Sequence, residues 1–157
     1  MKIVLTLCMI LREPQILLGL KKLRLGAGRW NGFGGGVEGR ELIEKAARRE
    51  VFEESGLTVN QMKKVGLIGF EFANEPGTFL EVHIFLCDDF SGEPQESDEM
   101  KPQWFDIKDI PYDDMFPIDR DWLPRALEGE KIRGRVLYDN RESLNIISKD
   151  LREASEV

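Results

Sequence analysis

The sequence predicts an α/β protein of the α+β kind, a mixed β-sheet flanked by helices, in one domain spanning residues 1–157. Three observations point there. Apolar, β-branched runs outnumber helical patterns, they come in adjacent pairs around turn residues, and one segment, 41–55, keeps a helical period. A chain of 157 residues buries roughly 70% of the surface its unfolded form exposes, so it needs no disulfide or metal staple to fold.

Taken in order, residues 3–11 and 15–20 are apolar runs around "REPQ" and read as a hairpin. The glycine-dense stretch 26–39, "GAGRWNGFGGGVEG", is a loop with room for one short extended piece. Residues 41–55 form a helix stopped by Gly56. Segments 65–73 and 79–88 are strands joined across "NEPGT", and 101–106, "KPQWFD", is another. A second helix runs from about 119 to 129, with Pro124 tolerable only near its start. A last strand pair, 132–139 and 144–151, flanks "DNRE". No internal repeat or low-complexity linker divides the chain.

With 41% hydrophobic and 32% charged residues, the composition is that of a globular protein rather than a disordered one. The net charge of -7 argues against a broad grip on a nucleic acid backbone, so no stable nucleic acid complex is expected. A small phosphorylated substrate stays compatible if local cations meet it. The opening "MKIVLTLCMILREP" resembles a secretory leader, but its apolar run ends in Arg12 and Glu13 without a cleavage pattern and is too short to span a bilayer. It is read as a buried first strand, with no membrane partner. Cys8 and Cys87 sit in separate apolar runs and are read as buried free thiols, which places the expected location in a reducing cytoplasm. A monomer is expected.

The helix at 41–55 carries the chemistry. Ile43, Ala46, Ala47, Glu50, Glu53, Glu54 and Leu57 share a stripe at helical spacing, apolar in its first half and acidic in its second. A helix rich in Glu and Arg is ordinarily a solvated face whose pairs, such as Arg49 with Glu53, add about 0.2–0.5 kcal/mol each. Here the acids continue the inward stripe, where like charges repel and desolvation penalises ionisation. They must be protonated, solvated in a cleft, or neutralised by a cation. A hard divalent cation, which takes oxygen ligands together with substrate phosphates, gives all three a role.

Gly35, Glu41, Arg49, Glu50, Val51, Glu53, Glu54, Gly56 and Leu57 fit the frame G-x5-E-x7-R-E-U-x-E-E-x-G-U, where U is apolar. This resembles the signature of the Nudix hydrolases, which cleave nucleoside diphosphates linked to another group. A P-loop is excluded, because Gly34 and Gly39 are followed by Arg40 and Glu41 rather than Lys-Ser/Thr. "GAGRWNGFGG", "RREVFEESGLTV", "KVGLIGFEF", "VHIF", "ESDEMKPQWF" and "REASEV" extend the resemblance over nearly the whole chain to the MutT-homologue branch, the 8-oxo-dGTPases. The resemblance implies a Nudix α/β/α sandwich and Mg2+-dependent hydrolysis, with Mn2+ able to substitute, of an oxidised purine nucleoside triphosphate to monophosphate and pyrophosphate.

It also implies roles. Glu50, Glu53 and Glu54 match the metal-binding acids, the carbonyl of Gly34 matches the loop ligand, and Glu99 matches a further acid that reaches the metal. Glu54 is the expected general base, with Glu99 as its rival, and Arg49 matches the arginine that orients a catalytic glutamate. Glu41 is expected to be structural near the helix start. Lys21 is read either as a phosphate contact or as a solvent-facing strand lysine. The wording "VEGRE" places Glu38–Gly39 one position earlier than is common, which predicts an altered turn.

For the base, Asn31 matches an asparagine that reads the purine edge, and Phe70 and Phe72 match pocket phenylalanines, core packing being the alternative for both. "MFPIDRDW" stands where mammalian members carry a Trp and two adjacent Asp: Phe116 replaces the Trp, Ile118 the first Asp, and Asp119 remains. Leu25 replaces a Phe and Leu80 a Met. An isoleucine cannot hydrogen-bond a base edge, so Ile118 predicts a lost polar contact and shifted specificity. Asp119 is also placed to cap the second helix. His83 reads as structural, and Trp30, Trp104 and Trp122 as packing residues. Two rivals stand beside the leading function. One is hydrolysis of another nucleotide, such as an unmodified or methylated triphosphate, a nucleotide sugar or capped RNA. The other is a non-catalytic binding module, which has no need of an inward acidic cluster.

Overall fold

The computed structural model describes all 157 residues, Met1–Val157. The first two strands, β1 (Lys2–Arg12) and β2 (Gln15–Lys21), form the expected antiparallel hairpin, with Ile10 opposite Leu17. The glycine loop contributes only β3 (Trp30–Asn31), paired with β2. Helix α1 (Ile43–Ser55) follows, then β4 (Thr58–Phe72), β5 (Phe79–Ser91) and β6 (Met100–Asp106). Two short 3-10 turns lead to α2 (Asp119–Leu127), and β7 (Ile132–Tyr138) and β8 (Ile146–Glu153) close the chain.

One eight-stranded mixed sheet results, in the order β3-β2-β1-β5-β4-β7-β8, with β6 also paired to β2. The parallel pairs are β1 with β5 and β4 with β7; the rest are antiparallel. A central strand covered on both faces needs apolar residues at every position rather than every second one. That is why 3–11 reads as an unbroken apolar run. Leu7 and Met9 enter the larger core with α2, whereas Cys8 and Ile10 enter the smaller core against α1. Both cysteines are buried free thiols. The two helices therefore cover opposite faces, the α/β/α sandwich expected.

Boundaries moved where packing overrode local pattern. Helix α1 starts two residues later than expected because Glu41 is drawn into a turn, its Oε1 accepting the Glu38 N–H at 3.1 Å. That turn carries Gly39 at φ +50°. Gly56 ends the helix at φ +76° as predicted. Strand β4 begins seven residues before the predicted start at 65 because its first half, though polar, pairs with β5 across several bulges. Pro124 is the sixth residue of α2, not near its start. The helix tolerates the missing N–H because Trp122, Leu123 and Ala126 are buried against the larger core.

Ile118 requires a correction. It immediately precedes α2, is 0% exposed, and packs in the larger core rather than at the base-contacting position where the alignment put it. Ile118→Asp then buries a carboxylate among apolar neighbours rather than restoring a base contact. We expect it to destabilise the fold by about 3 kcal/mol or more. Urea denaturation measures this, and an unchanged midpoint would place the residue 118 side chain in solvent.

Candidate active site

The site begins where the glycine loop crosses β1. Backbone bonds from Thr6 N–H to Gly35 O (2.8 Å) and from Cys8 N–H to Phe33 O (2.7 Å) lay the loop along the strand. The approach is too close for side chains. A Cβ on Gly34 would stand 1.8 Å from the Thr6 carbonyl oxygen, and one on Gly35 would stand 2.6 Å from the Glu50 carboxyl carbon. Backbone contact makes glycine obligatory at Gly34, whereas a side chain at Gly35 would displace the Glu50 carboxyl from its place. The Gly34 N–H donates to Glu54 Oε1 at 2.8 Å, tying loop to helix.

Glu50, Glu54 and Glu99 converge, with candidate ligand oxygens all within 4.8 Å of one another. Glu99 comes from the turn before β6, where Ser97 Oγ accepts its N–H and its carbonyl accepts the Lys22 N–H. Burial pushes the Glu54 carboxyl up to about 8; the Gly34 N–H opposes this, and the neighbouring Glu99 and Glu50 reinforce it. Burial also raises Glu50 above the ordinary carboxylate range, against the lowering pull of Arg49. Three clustered carboxyl groups, two made reluctant to ionise, form an all-oxygen donor set that a hard divalent cation fits. The Nudix resemblance read from the sequence implies such a metal.

Glu53 does not join them. Its side chain is 55% exposed and lies 3.3 Å from Arg49 Nη1. At roughly 100° per residue, Glu53 is turned about 100° from Glu54 and about 60° from Glu50, at the edge of the stripe rather than its centre. Arg49 is the hub instead. Its Nε and Nη2 donate to Glu41 (2.8 and 2.9 Å), Nη1 to Glu50 Oε1 (3.0 Å), and Nη2 to the Gly36 carbonyl (3.0 Å). The Arg49 guanidinium holds the Glu41 carboxyl down at about 2.

A cavity of about 320 Å³ opens from the carboxylates across the sheet face. Lys21, Asn31, Gly34, Phe70, Leu80, Phe116, Asp119 and Leu25 line it together with Glu50, Glu54 and Glu99. Asn31 Oδ1 accepts the Gly32 N–H at 2.9 Å, which leaves its Nδ2 donor free. Phe72 does not line the cavity. It is buried, stacked 6.0 Å from Tyr138, because β4 carries it past the chamber toward the next turn. His83 is also elsewhere: buried, its Nε2 2.8 Å from Glu81 Oε2. Trp122 packs in the core and Trp30 against Phe105.

Asp119 does not cap α2; it is the first helical residue, and no side chain caps that end. Its Oδ1 accepts the Trp122 Nε1–H at 2.9 Å, while Oδ2 is buried without a partner. Burial lifts its carboxyl to about 7, opposed by the Trp122 bond, a Phe116 backbone contact and the charge of Arg29. Two charged cavity residues escaped the sequence reading. Arg24, 3.9 Å from Glu99, follows a basic run that offered a weak signal. Arg141 offered none, since its partner Glu75 is 66 residues away.

The raised Asp119 carboxyl has a thermodynamic signature. Unfolded it titrates near 3.8 and folded near 7, so between those values the folded state binds the extra proton and stability falls as pH rises. Asp119→Asn is expected to remove this slope, changing the pH 4-to-8 difference in unfolding free energy by on the order of 3 kcal/mol. Urea melts at both pH values, in chelator so that Glu54 contributes equally to both proteins, measure the difference. Parallel slopes would mean that Asp119 is already ionised when folded.

The NUDIX domain family matches residues 2–126. A mouse (Mus musculus) protein named oxidized purine nucleoside triphosphate hydrolase is 47% identical over 148 residues, 94% of this chain and 93% of that protein. A zebrafish (Danio rerio) protein of the same name is 51% identical over 138 residues, 88% of each. Among solved structures, a MutT protein from Bacillus halodurans superposes with a TM-score of 0.82 over 95% of this chain and 97% of that one, at 23% identity, a likeness of fold. With the glutamate frame, the sandwich and these relatives in agreement, the chain belongs to the Nudix hydrolase family.

Proposed function

We propose that this protein hydrolyses oxidised purine nucleoside triphosphates of the 8-oxo-dGTP kind to the monophosphate and pyrophosphate, using Mg2+ with Mn2+ as a substitute. The observation that carries this reading is the single cavity joining the converged Glu50, Glu54 and Glu99 to a chamber walled by Phe70, Leu80 and Phe116 with polar groups that include Asn31 and Asp119. It has a hard-cation end for phosphates and an apolar end with hydrogen-bonding groups for a base. The names of the mouse and zebrafish relatives support the substrate class.

Each residue has a task on this reading. Glu50, Glu54 and Glu99, with the Gly34 carbonyl that the family resemblance adds, would hold the cation, which would supply Lewis-acid polarisation of phosphoryl oxygens and a more acidic water. Arg49 orients Glu50 through its 3.0 Å bond and secures the helix to the loop through Gly36. Lys21 and Arg24, at the same end, meet the charge of the polyphosphate. With a cation offsetting the burial that pushes its carboxyl up, Glu54 would be ionised and would take the proton of the attacking water on Oε2, Oε1 being held by the Gly34 N–H. Asn31 Nδ2 donates to an acceptor on the base edge. Asp119, poised near neutrality, either donates from Oδ2 or accepts there according to what the base presents.

Pyrophosphate release with Mg2+ tests the reading. We expect 8-oxo-dGTP to be turned over at a kcat/KM at least tenfold above that of dGTP; equal turnover would move the substrate to another nucleotide. Glu54→Gln is expected to lower kcat by about 1,000-fold with no loss of melting temperature. Retained activity would remove Glu54 from proton transfer and leave Glu99 to fill that role.

A further inference from the structure

Arg141 lines the cavity although it belongs to the β7–β8 turn, far in sequence from every other site residue. Its guanidinium is held on two sides. Nε lies 2.5 Å from Glu75 Oε2 and Nη2 lies 3.1 Å from Glu75 Oε1, while the ring of Phe72 lies beneath at 4.9 Å. Such a two-point carboxylate clamp over an aromatic face fixes the plane of the fork. Nη1 makes no hydrogen bond within the protein, so a donor is left over.

The turn that carries Arg141 is itself braced. Asn140 Oδ1 accepts the N–H groups of Glu142 (3.0 Å) and Ser143 (2.8 Å), and Asp139 Oδ1 accepts those of Asn140 (2.7 Å) and Asn145 (2.9 Å). Leu144 is 1% exposed and anchors the turn in the larger core. The arm is therefore an ordered wall of the chamber.

Its position selects what it meets. The carboxylate end lies at Thr6, which pairs with His83 and through it with Leu67 of β4. Phe72, beneath Arg141, is five residues further along β4, on the order of 16 Å at strand spacing. A nucleotide with its phosphates at the carboxylates presents its base, not its phosphates, toward this end. A guanidinium only donates. We propose that Arg141 is a specificity-determining residue that donates from Nη1 to a carbonyl oxygen of the purine base, held in register by Glu75 as a positioning residue. The inference rests on the nucleotide reading above and extends it. A purine oxidised at C8 carries one more carbonyl oxygen than its parent, and an adenine carries none.

Calorimetric binding of nucleoside monophosphates to the full chain, with Mg2+ present, tests this. Arg141→Ala is expected to weaken 8-oxo-dGMP and dGMP at least fivefold, and dAMP and pyrophosphate less than twofold. Arg141→Lys is expected not to restore the loss, because an ammonium cannot grip Glu75 at two points and still present an oriented donor. Equal weakening of all four ligands, full rescue by lysine, or no change in any of them would each overturn the assignment. Failure of the parent reading is separable: it shows as wild-type protein that does not prefer 8-oxo-dGMP over dGMP. The comparison of dGMP with dAMP still decides Arg141 in that case.

Discussion

The hydrogen bond from the Gly34 N–H to Glu54 Oε1 marks the contact on which the site is built, because it exists only if the loop lies directly on β1. No side chain fits between the Gly34 Cα and the Thr6 carbonyl, so the backbone itself is the packing surface. That closeness brings a strand, a loop and a helix to one point. Around it gather carboxyl groups whose burial works against their ionisation, Glu54 most of all at about 8. The fold holds this unfavourable charge arrangement because the two apolar cores on either side of the sheet supply the stability.

Arg49 balances the arrangement. It is the only cation bonded to Glu50 and reaches Glu41, Glu53 and the Gly36 carbonyl as well, so a single guanidinium braces both ends of the helix–loop junction. A lysine could not do this, since its ammonium lacks a planar fork of five donors. The division of labour is clear in the acids themselves. Glu41 and Glu53 are paired with Arg49, whereas Glu54 and Glu99 turn carboxyl oxygens toward the cleft.

The chamber beyond follows a different logic. Its walls are largely apolar and its few polar groups are individually held: Asn31 by the Gly32 N–H, Asp119 by Trp122, Arg141 by Glu75. Each has one face spent on the protein and one left for a ligand. Selectivity in such a site arises from the cost of leaving those remaining faces unpaired, which makes the placement of each holder as important as the group it holds.

The sequence by itself determined the sandwich, the hairpins, the helix with its glycine stop and the family, because these rest on periodicity and on residues at fixed local spacing. The local frame covers Glu50 and Glu54, while Gly34, Asn31, Phe70, Leu80, Phe116 and Asp119 were implied by the family resemblance rather than by spacing, and all of them line one cavity. Only the tertiary structure decided the rest. A stripe counted in whole residues could not separate Glu53 from Glu50, because the difference is one of angle about the helix axis. Strand alternation put Phe70 and Phe72 on one face but could not say where along that face the chamber ended. Ile118 went to the core rather than the pocket, and Arg141 came to the pocket from a distant turn, for the same reason. Which side chains meet across the sheet is set by strand register and loop packing between residues remote in sequence, and no local pattern encodes it.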